Sequence, residues 1–464
     1  MTSPQPPQPA APIDPVRLDA LRAKVAAQFG TVRADLEALV RIPSVSNQEF
    51  DQTQVDASAA AVAALLSQVG FTEVDVLHAP RPDGTPGAPA VVGHRGGRPG
   101  APTVLLYAHH DVQPPGEGWT TEPFVPTQVG DRLFARGAAD DKAGVVAHIG
   151  ALRALGDELE ANVTVFVEGE EEVGSPSFVT FLHTYRDRLA ADVIVVADSS
   201  NWQVGVPGLT TSLRGLVDLT VEVAALDHAV HSGMFGGPLL DAPTLLARLL
   251  ATLHDDAGDV AVAGLVRAAD PTVDYDEAQL RADAGVLEGV RLAGTGPLTA
   301  RLWTRPAISV IGLDAPRVAT SSNTLTPAAS AKLSLRVAPG QDPAAARDAL
   351  VAHLHAHAPF GARVTVRDGE LGKPFAAPVD SAAMRTARAA FAAAWGTDPV
   401  DIGIGGSIPF IADLLDVFPQ AAILVTGVED PDSRAHGANE SVHLVELERV
   451  VLAEALLLDA IARG

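Results

Sequence analysis

The feature that most constrains this chain is a set of strand-like apolar runs, each leading into side chains that can hold a metal ion. Leu105-Leu106-Tyr107-Ala108-His109-His110-Asp111-Val112 passes from an apolar stretch into a His-x-Asp. The run 162–168 leads into Glu170-Glu171-Glu172, the run 192–197 into Asp198, and 421–427 is followed closely by His436. Apolar runs of this length mark strands buried on both faces, and open α/β sheets gather their functional groups at strand carboxyl ends. Asp140, in Arg136-Gly137-Ala138-Ala139-Asp140-Asp141-Lys142, adds a further carboxylate. Together these residues predict a metal site.

Composition narrows the chemistry. Cysteine is absent, so disulfides, thiolate nucleophiles and Cys-type zinc sites are excluded, and any metal must be held by His, Asp and Glu. A net charge of −24 lacks the basic footprint that nucleic acid demands. No apolar run reaches the length of about 20 residues that a membrane helix needs. With 464 residues, two domains are expected, since single cores rarely grow past roughly 250–300 residues. The proline-rich start (Pro4, Pro6, Pro7, Pro9, Pro12) has neither a basic end nor an apolar core, so 1–13 reads as a disordered leader and a cytoplasmic location is expected.

Helical periodicity covers 16–40, 52–70, 143–155, 177–189 and 381–395, and strand-like runs fall at 71–77, 90–93, 103–109, 162–168, 192–197 and 421–427. Their alternation predicts an α/β fold, a mostly parallel sheet with helices on both faces. Near residue 209 the character changes. A half-exposed alternation at 212–223, a helix at 243–254, strands at 308–313 and 331–337, a helix at 343–357 and a strand at 362–367 form a β-α-β-β-α-β set, with 255–306 as a loosely patterned insertion. The expectation is a ferredoxin-like α+β domain at 209–372, inserted into a larger domain made of 14–208 and 373–464.

Several motifs in order then carry a resemblance across roughly residues 42–444. They are His109-His110-Asp111, Arg136-Gly137-Ala138-Ala139-Asp140-Asp141-Lys142, Glu170-Glu171-Glu172-Val173-Gly174-Ser175, Asp198, His231-Ser232-Gly233, Gly405-Gly406-Ser407-Ile408-Pro409, and His436 followed by Asn439-Glu440. The chain resembles the dinuclear zinc metallopeptidase family of carnosinase-like dipeptidases, aminoacylase, succinyl-diaminopimelate desuccinylase and glutamate carboxypeptidase. The wording Leu-Leu-Tyr-x-His-x-Asp-Val-Gln-Pro at 105–114 is closest to the dipeptidase branch.

The resemblance implies that His109 and Asp198 hold one metal, Glu172 and His436 the other, and that Asp140 bridges them. Imidazole and carboxylate donors suit zinc and tolerate manganese or cobalt. Three carboxylates against two dications leave about one net positive charge, to be offset by hydroxide or a substrate oxygen. Glu171 becomes the general base; its register within Glu170–Glu172 comes from the family's Glu-Glu-x-Gly-Ser ending, because spacing alone leaves the three equivalent. Asp111 is expected to orient the His109 ring. His231 is the family's lid histidine, donating to the carbonyl oxygen as charge develops there. In dimeric relatives it reaches across from the partner subunit, so a homodimer through the lid domain is implied, as is a cis peptide between Asp140 and Asp141. Thr324 and Arg336 match lid positions that contact the peptide carboxylate, and the backbone at Gly406 and Ser407 supplies further donors.

The implied activity is hydrolysis of the amide bond of dipeptides or short peptides, with N-acyl-amino-acid amidohydrolase as the alternative. A non-catalytic metal-binding protein is a third reading, against which the intact Glu171 counts. One departure stands out. The dipeptidase branch usually reads Arg-Glu-Gly-Gly-Ser, and here the first two positions are Gly403 and Ile404. Arg336 or Arg434 is expected to replace the missing arginine, unless the substrate is not a simple dipeptide.

Taken singly, each residue has an ordinary alternative. His109 can be a hydrogen-bonded strand-end histidine, Asp198 a helix cap, Glu170–Glu172 a solvated cluster, and Asp140 a turn residue with a local ion pair. It is their joint placement that favours a site. His231 can serve a turn structurally, and Arg214 can form a lid-surface ion pair as readily as touch substrate. His353 and His357 have the spacing of a helical zinc pair, but the glutamate of His-Glu-x-x-His is missing, and no metal role is assigned to them.

Overall fold

The computed structural model describes residues 13–406 and 409–463. The expected leader at 1–13 lies outside them apart from Ile13, and Ser407 lies outside them too. The chain divides into two compact units: Met1–Thr211 with Ala377–Ile402 and Asp413–Gly464, and Ser212–Ala376 with Gly403–Ala412. Gly403–Ala412, expected within the larger domain, groups with the smaller one. No helix among the described residues is long and apolar enough to cross a membrane.

The sheet of the first unit is built around four parallel strands, in the order Asn162–Glu168, Thr103–His109, Val193–Val196 and Ala422–Val425. Antiparallel strands flank them. Ala90–Arg95 pairs with Asn162–Glu168 and then with Glu73–Leu77, and on the other side Val425 faces Thr210 of Gly208–Leu213. The apolar runs are continuous because both faces are covered. Val104, Leu106 and Ala108 pack into the core shared with helices Pro15–Val40, Lys142–Leu155 and Leu444–Arg463. On the opposite face Tyr107 meets Phe166 edge-on at 5.5 Å, and Phe166 stacks on Phe181 of helix Phe178–Thr184 at 4.9 Å.

Helix starts follow local chemistry. Asp14 accepts the N–H of Val16 with Pro15 next in line, Asp141 accepts that of Gly144, and Ser381 that of Met384. Lys142–Leu155 packs between Pro15–Val40 and Leu444–Arg463 and is buried around almost its whole circumference. Two elements were not among those expected from the sequence. Leu444–Arg463 is buried along most of its length, with Val445 and Arg463 exposed, and the small sheet of Thr127–Val129, Arg132–Phe134 and Ser441–His443 has strands too short to alternate. The expected single helix over 177–189 is two, Phe178–Thr184 and Arg186–Leu189, because Tyr185 leaves helical geometry (φ −109°, ψ 23°).

The expected strand over 212–223 is also divided. Gly208–Leu213 ends before Arg214, and Gly215–Ala224 begins the second unit's own sheet. That sheet has the order Ala307–Asp314, Ala328–Val337, Gly215–Ala224, Arg363–Gly372, with every pair antiparallel. With helices Ala242–Ala251 and Pro343–Ala356 it forms the β-α-β-β-α-β arrangement around a core of Val217, Leu219, Leu245, Leu249, Leu333 and Leu350. Asp241 and Asp342 cap the two helices. Between residues 255 and 306 the only helices are the short Glu277–Asp283 and Leu298–Trp303.

Leu106 is fully buried in the central parallel strand pairs. Leu106→Ala should destabilise the first unit by about 2–5 kcal/mol, read as a lower denaturant midpoint in its unfolding transition.

Candidate metal centre

Each parallel strand delivers its chemistry just past its carboxyl end. Thr103–His109 ends on the fully buried His109. Val193–Val196 is followed by Asp198, and Asn162–Glu168 by the short turn Glu171–Val173. The loop before helix Lys142–Leu155 supplies Asp140 and Asp141, joined by a cis peptide. His436 comes from the loop after Ala422–Val425. It holds left-handed backbone geometry (φ 61°), as do its neighbours Arg434 (φ 56°) and Asn439 (φ 62°). Non-glycine residues rarely adopt that region, so this loop has to be held in place by its surroundings.

The Asp140 carboxylate occupies the middle. Its Oδ1 lies 3.0 Å from His109 Nε2 and its Oδ2 3.0 Å from His436 Nε2. His436 Nε2 is also 3.1 Å from Glu172 Oε2. Donor atoms of Asp140, Glu172 and His436 lie within 4.8 Å of one another, as do those of His109, Asp141 and Asp198. All five residues named from the sequence as ligands therefore converge. Asp141 is the addition; its only signal was the Asp-Asp doublet, and its oxygens already accept the N–H groups of His109 and Gly144 at 3.2 Å each.

The surrounding residues fix these side chains. His109 Nδ1–H donates to the Asp111 carbonyl at 3.1 Å and lies 3.4 Å from its carboxylate, leaving Nε2 toward Asp140. The Asp111 carboxylate in turn accepts the backbone N–H groups of Glu171 (3.2 Å) and Glu172 (3.1 Å). Gln113, which sequence reasoning missed, donates its backbone N–H and side-chain amide to Glu172 at 2.9 and 2.7 Å.

The three consecutive glutamates are now distinguishable. Glu170 is occupied by Arg81 and by the N–H groups of Ala88 and Ser177. Glu172 faces His436. Glu171 alone has a carboxylate with no hydrogen-bond partner among the described residues.

The electrostatics fit a cation site. Burial, with Asp198 and Glu172 adding to it, pushes Glu171 up to about 9. Burial and Asp140 push Glu172 up to about 7, and burial and Asp140 push Asp198 up to about 6. Hydrogen bonds to Asp140 and Glu172 push His436 up to about 11. Asp140 is also buried, which raises it, but hydrogen bonds from His109 and His436 win and hold it below the usual carboxylate range. The four carboxyl groups of Asp140, Glu171, Glu172 and Asp198 thus crowd around two imidazoles. Imidazole nitrogen and carboxylate oxygen with a surplus of negative charge form a donor set suited to divalent cations.

The remaining candidates lie in the second unit. His231 and Thr324 are directly opposite in the short ladder of Val230–His231 with Thr324–Leu325, and both are exposed. His231 Nδ1 accepts the Gly233 N–H at 3.0 Å, so the neutral ring carries its proton on exposed Nε2. Arg336 is half-buried, with no hydrogen bond or ion pair to its guanidinium among the described residues. Arg214 forms no surface ion pair among the described residues. It is buried and donates to the carbonyls of Gly405 (2.9 Å), Arg301 (3.2 Å) and Arg305 (3.3 Å), with burial and nearby Arg336 lowering it to about 10.

Gly406 is half-buried. A Cβ at Gly403 would sit 2.6 Å from that of Trp303, so the tryptophan fills the space an arginine there would need. His353 and His357 stack at 4.0 Å, with His353 on the Thr252 hydroxyl and His357 on the His353 carbonyl, and no carboxylate among the described residues joins them.

The model of peptidase family M20/M25/M40 matches residues 105–460. The chain is 36% identical over 406 residues to the cysteinylglycine-S-conjugate dipeptidase of Corynebacterium striatum, covering 85% of this chain and 87% of the relative. It is 30% identical over 410 residues to the Beta-Ala-His dipeptidase of Homo sapiens, covering 83% and 80%. Its structure is similar to that of human carnosine dipeptidase 1, with a TM-score of 0.74 at 25% identity over 98% of this chain and 100% of that one. It is also similar to the dipeptidase Dug1p of Saccharomyces cerevisiae, with a TM-score of 0.75 at 22% identity over 96% and 99%.

The crowded carboxyl groups give a signed pH dependence. Glu171, Glu172 and Asp198 bind protons more tightly folded than unfolded, and so do His109 and His436. These groups therefore lower the stability of the cation-free protein as pH rises from about 5 to 9, outnumbering His110 and Lys142, which burial lowers to about 4 and about 7 and which act in the opposite sense. Thermal unfolding in chelator should show Tm declining across that window, and a saturating divalent cation should remove the decline. A Tm that rises with pH in chelator contradicts the arrangement.

Proposed function

This chain belongs to peptidase family M20/M25/M40, and we propose that it hydrolyses the amide bond of dipeptides or short peptides at a centre of two divalent cations, zinc foremost. The observation that carries this reading is the Asp140 carboxylate, which offers one oxygen toward His109 and the other toward His436 at 3.0 Å each. We assign His109 and Asp198 to one ion, Glu172 and His436 to the other, and Asp140 to both. The dipeptidase names of the similar curated proteins support the substrate class.

Cations held there would polarise the scissile carbonyl and lower the pKa of a water to about 7. The chain's own residues do the rest. Glu171 takes a proton from the attacking water as the water oxygen bonds to the carbonyl carbon, then passes the proton to the amine as the C–N bond breaks. Its unpartnered carboxylate and its raised proton affinity support this role. Asp111 holds the His109 ring in one tautomer. His231 donates Nε2–H to the oxygen on which negative charge develops. Arg336 and Thr324, with the backbone of Gly406, hold the substrate carboxylate; Ser407, also expected there, lies outside the described residues. The half-buried guanidinium of Arg336, with no partner among the described residues, supports that role, since such a fork pairs bidentately with a carboxylate.

Gly403, packed under Trp303, favours a second reading, an N-acyl-amino-acid amidohydrolase acting through the same centre, because the branch's arginine has no room. A homodimer through the second unit and a cytoplasmic location belong to the proposal. The edge strand Ala307–Asp314 supports the dimer: it pairs on one side only and exposes Val310, Ile311 and Leu313 (48, 54 and 60%).

Glu171→Gln should leave the fold and metal uptake intact while lowering kcat by about 10²–10⁴-fold. Unchanged turnover on every amide tried removes Glu171 from the reaction. On the metal-reconstituted enzyme, dipeptides should be cut with higher kcat/KM than N-acetyl or N-succinyl amino acids, and the reverse order selects the deacylase. Ile311→Lys should shift the protein from dimer to monomer in light scattering; a monomeric wild type contradicts the dimer.

A further inference from the structure

Glu440 is completely buried and lies only four residues after His436, yet its side chain turns away from the imidazole toward the Asp140 loop. Its Oε1 accepts the backbone N–H groups of Ala139 (2.9 Å) and Asp140 (3.1 Å). Its Oε2 accepts the N–H of Gly137 (3.0 Å) and Nη1 of Arg136 (2.6 Å). One carboxylate therefore gathers three N–H groups of the segment that presents Asp140. Arg136, itself buried, extends the clamp by donating through Nη2 to the carbonyls of Pro114 (3.3 Å) and Gly437 (3.2 Å).

Three loops are thereby tied together: the one following His109, the one carrying Asp140 and the one carrying His436. The third is the loop with left-handed backbone at Arg434, His436 and Asn439. A second anchor holds the same loop, since Asn439 Oδ1 accepts the N–H and hydroxyl of Thr120 at 2.7 Å each. Without anchors, a segment holding three non-glycine residues in that region would relax toward ordinary backbone geometry.

We propose that Glu440 is a positioning residue for the cation centre: through the Gly137–Asp140 N–H groups it sets where the Asp140 carboxylate stands relative to His436. Its oxygens are saturated by their four donors, so it acts through Asp140 and touches neither substrate nor ion. Glutamine in its place would keep a carbonyl oxygen for two of the N–H groups but turn an NH₂ toward the third and toward Arg136, setting donor against donor. The inference rests on the two-cation reading above.

The test measures cation affinity and stoichiometry of the full-length protein by zinc titration against a competing chelator, with apo-protein Tm and circular dichroism alongside. Glu440→Gln should remain folded and weaken zinc binding by about 10–100-fold, the range seen when a group supporting a metal ligand is removed. Glu454→Gln is the control. It disrupts another buried pair, His148 with Glu454 at 2.7 Å, and should lower Tm without changing zinc affinity. If Glu440→Gln fails to fold, Glu440→Asp, which keeps the charge but draws the carboxylate back, should show the same loss.

Wild-type affinity in a folded Glu440 variant overturns the proposal, and so does equal weakening in Glu454→Gln. Failure of both Glu440 variants to fold assigns the residue to folding and overturns it too. A wild type that takes up no zinc instead overturns the two-cation reading beneath it.

Discussion

The division of the Asp140 carboxylate between two imidazoles is the interaction on which the rest of this centre depends. His109 and His436 arise far apart along the chain and from different structural contexts, one at a strand end and one in a loop with unusual backbone. A single short side chain can face both only if the strand ends are already registered by the parallel sheet and the two loops are pinned. The fold supplies the first condition through the adjacent pairing of Asn162–Glu168, Thr103–His109, Val193–Val196 and Ala422–Val425. Buried polar contacts supply the second.

Those contacts separate the acids of the centre into two kinds. Asp111, Asp141, Glu170 and Glu440 spend their oxygens on backbone N–H groups, with arginines added at Glu170 and Glu440. Such groups are costly to bury unless satisfied, and once satisfied they make the local backbone rigid. Asp140 faces two imidazole nitrogens, Glu172 faces His436 as well as the N–H groups of Gln113, and the Glu171 carboxylate has no hydrogen-bond partner among the described residues. A carboxylate left without a partner inside a crowded anionic cluster is destabilised as it stands, and bound cations relieve that cost.

Much of this was legible in the sequence. The runs ending at His109 and Glu168 read as buried strands because their apolar residues serve two faces at once, Leu106 on one helix layer and Tyr107 on aromatic rings opposite. The β-α-β-β-α-β order of the second unit was legible from its period-2 and period-3.6 segments. What escaped was of two kinds. Some elements were simply not read, among them the largely buried helix Leu444–Arg463 and the short strands Thr127–Val129 and Arg132–Phe134. Contacts made through backbone groups leave no trace in residue identity. Nothing in the letters told which of Glu170, Glu171 and Glu172 is bound by Arg81, that Gln113 grips Glu172, or that Arg214 turns inward to three carbonyls. The departure at Gly403 was visible as a missing arginine, but its cause, Trp303 from the irregular stretch before residue 306, needed coordinates.

The most direct measurement is anomalous diffraction from crystals grown with zinc, collected on both sides of the zinc absorption edge. Two peaks should appear in each chain, one on each side of the Asp140 carboxylate, with His109 and Asp198 around the first and Glu172 and His436 around the second. No peak, a single peak, or zinc held elsewhere while His109 and His436 stay paired to Asp140 would contradict a dinuclear centre.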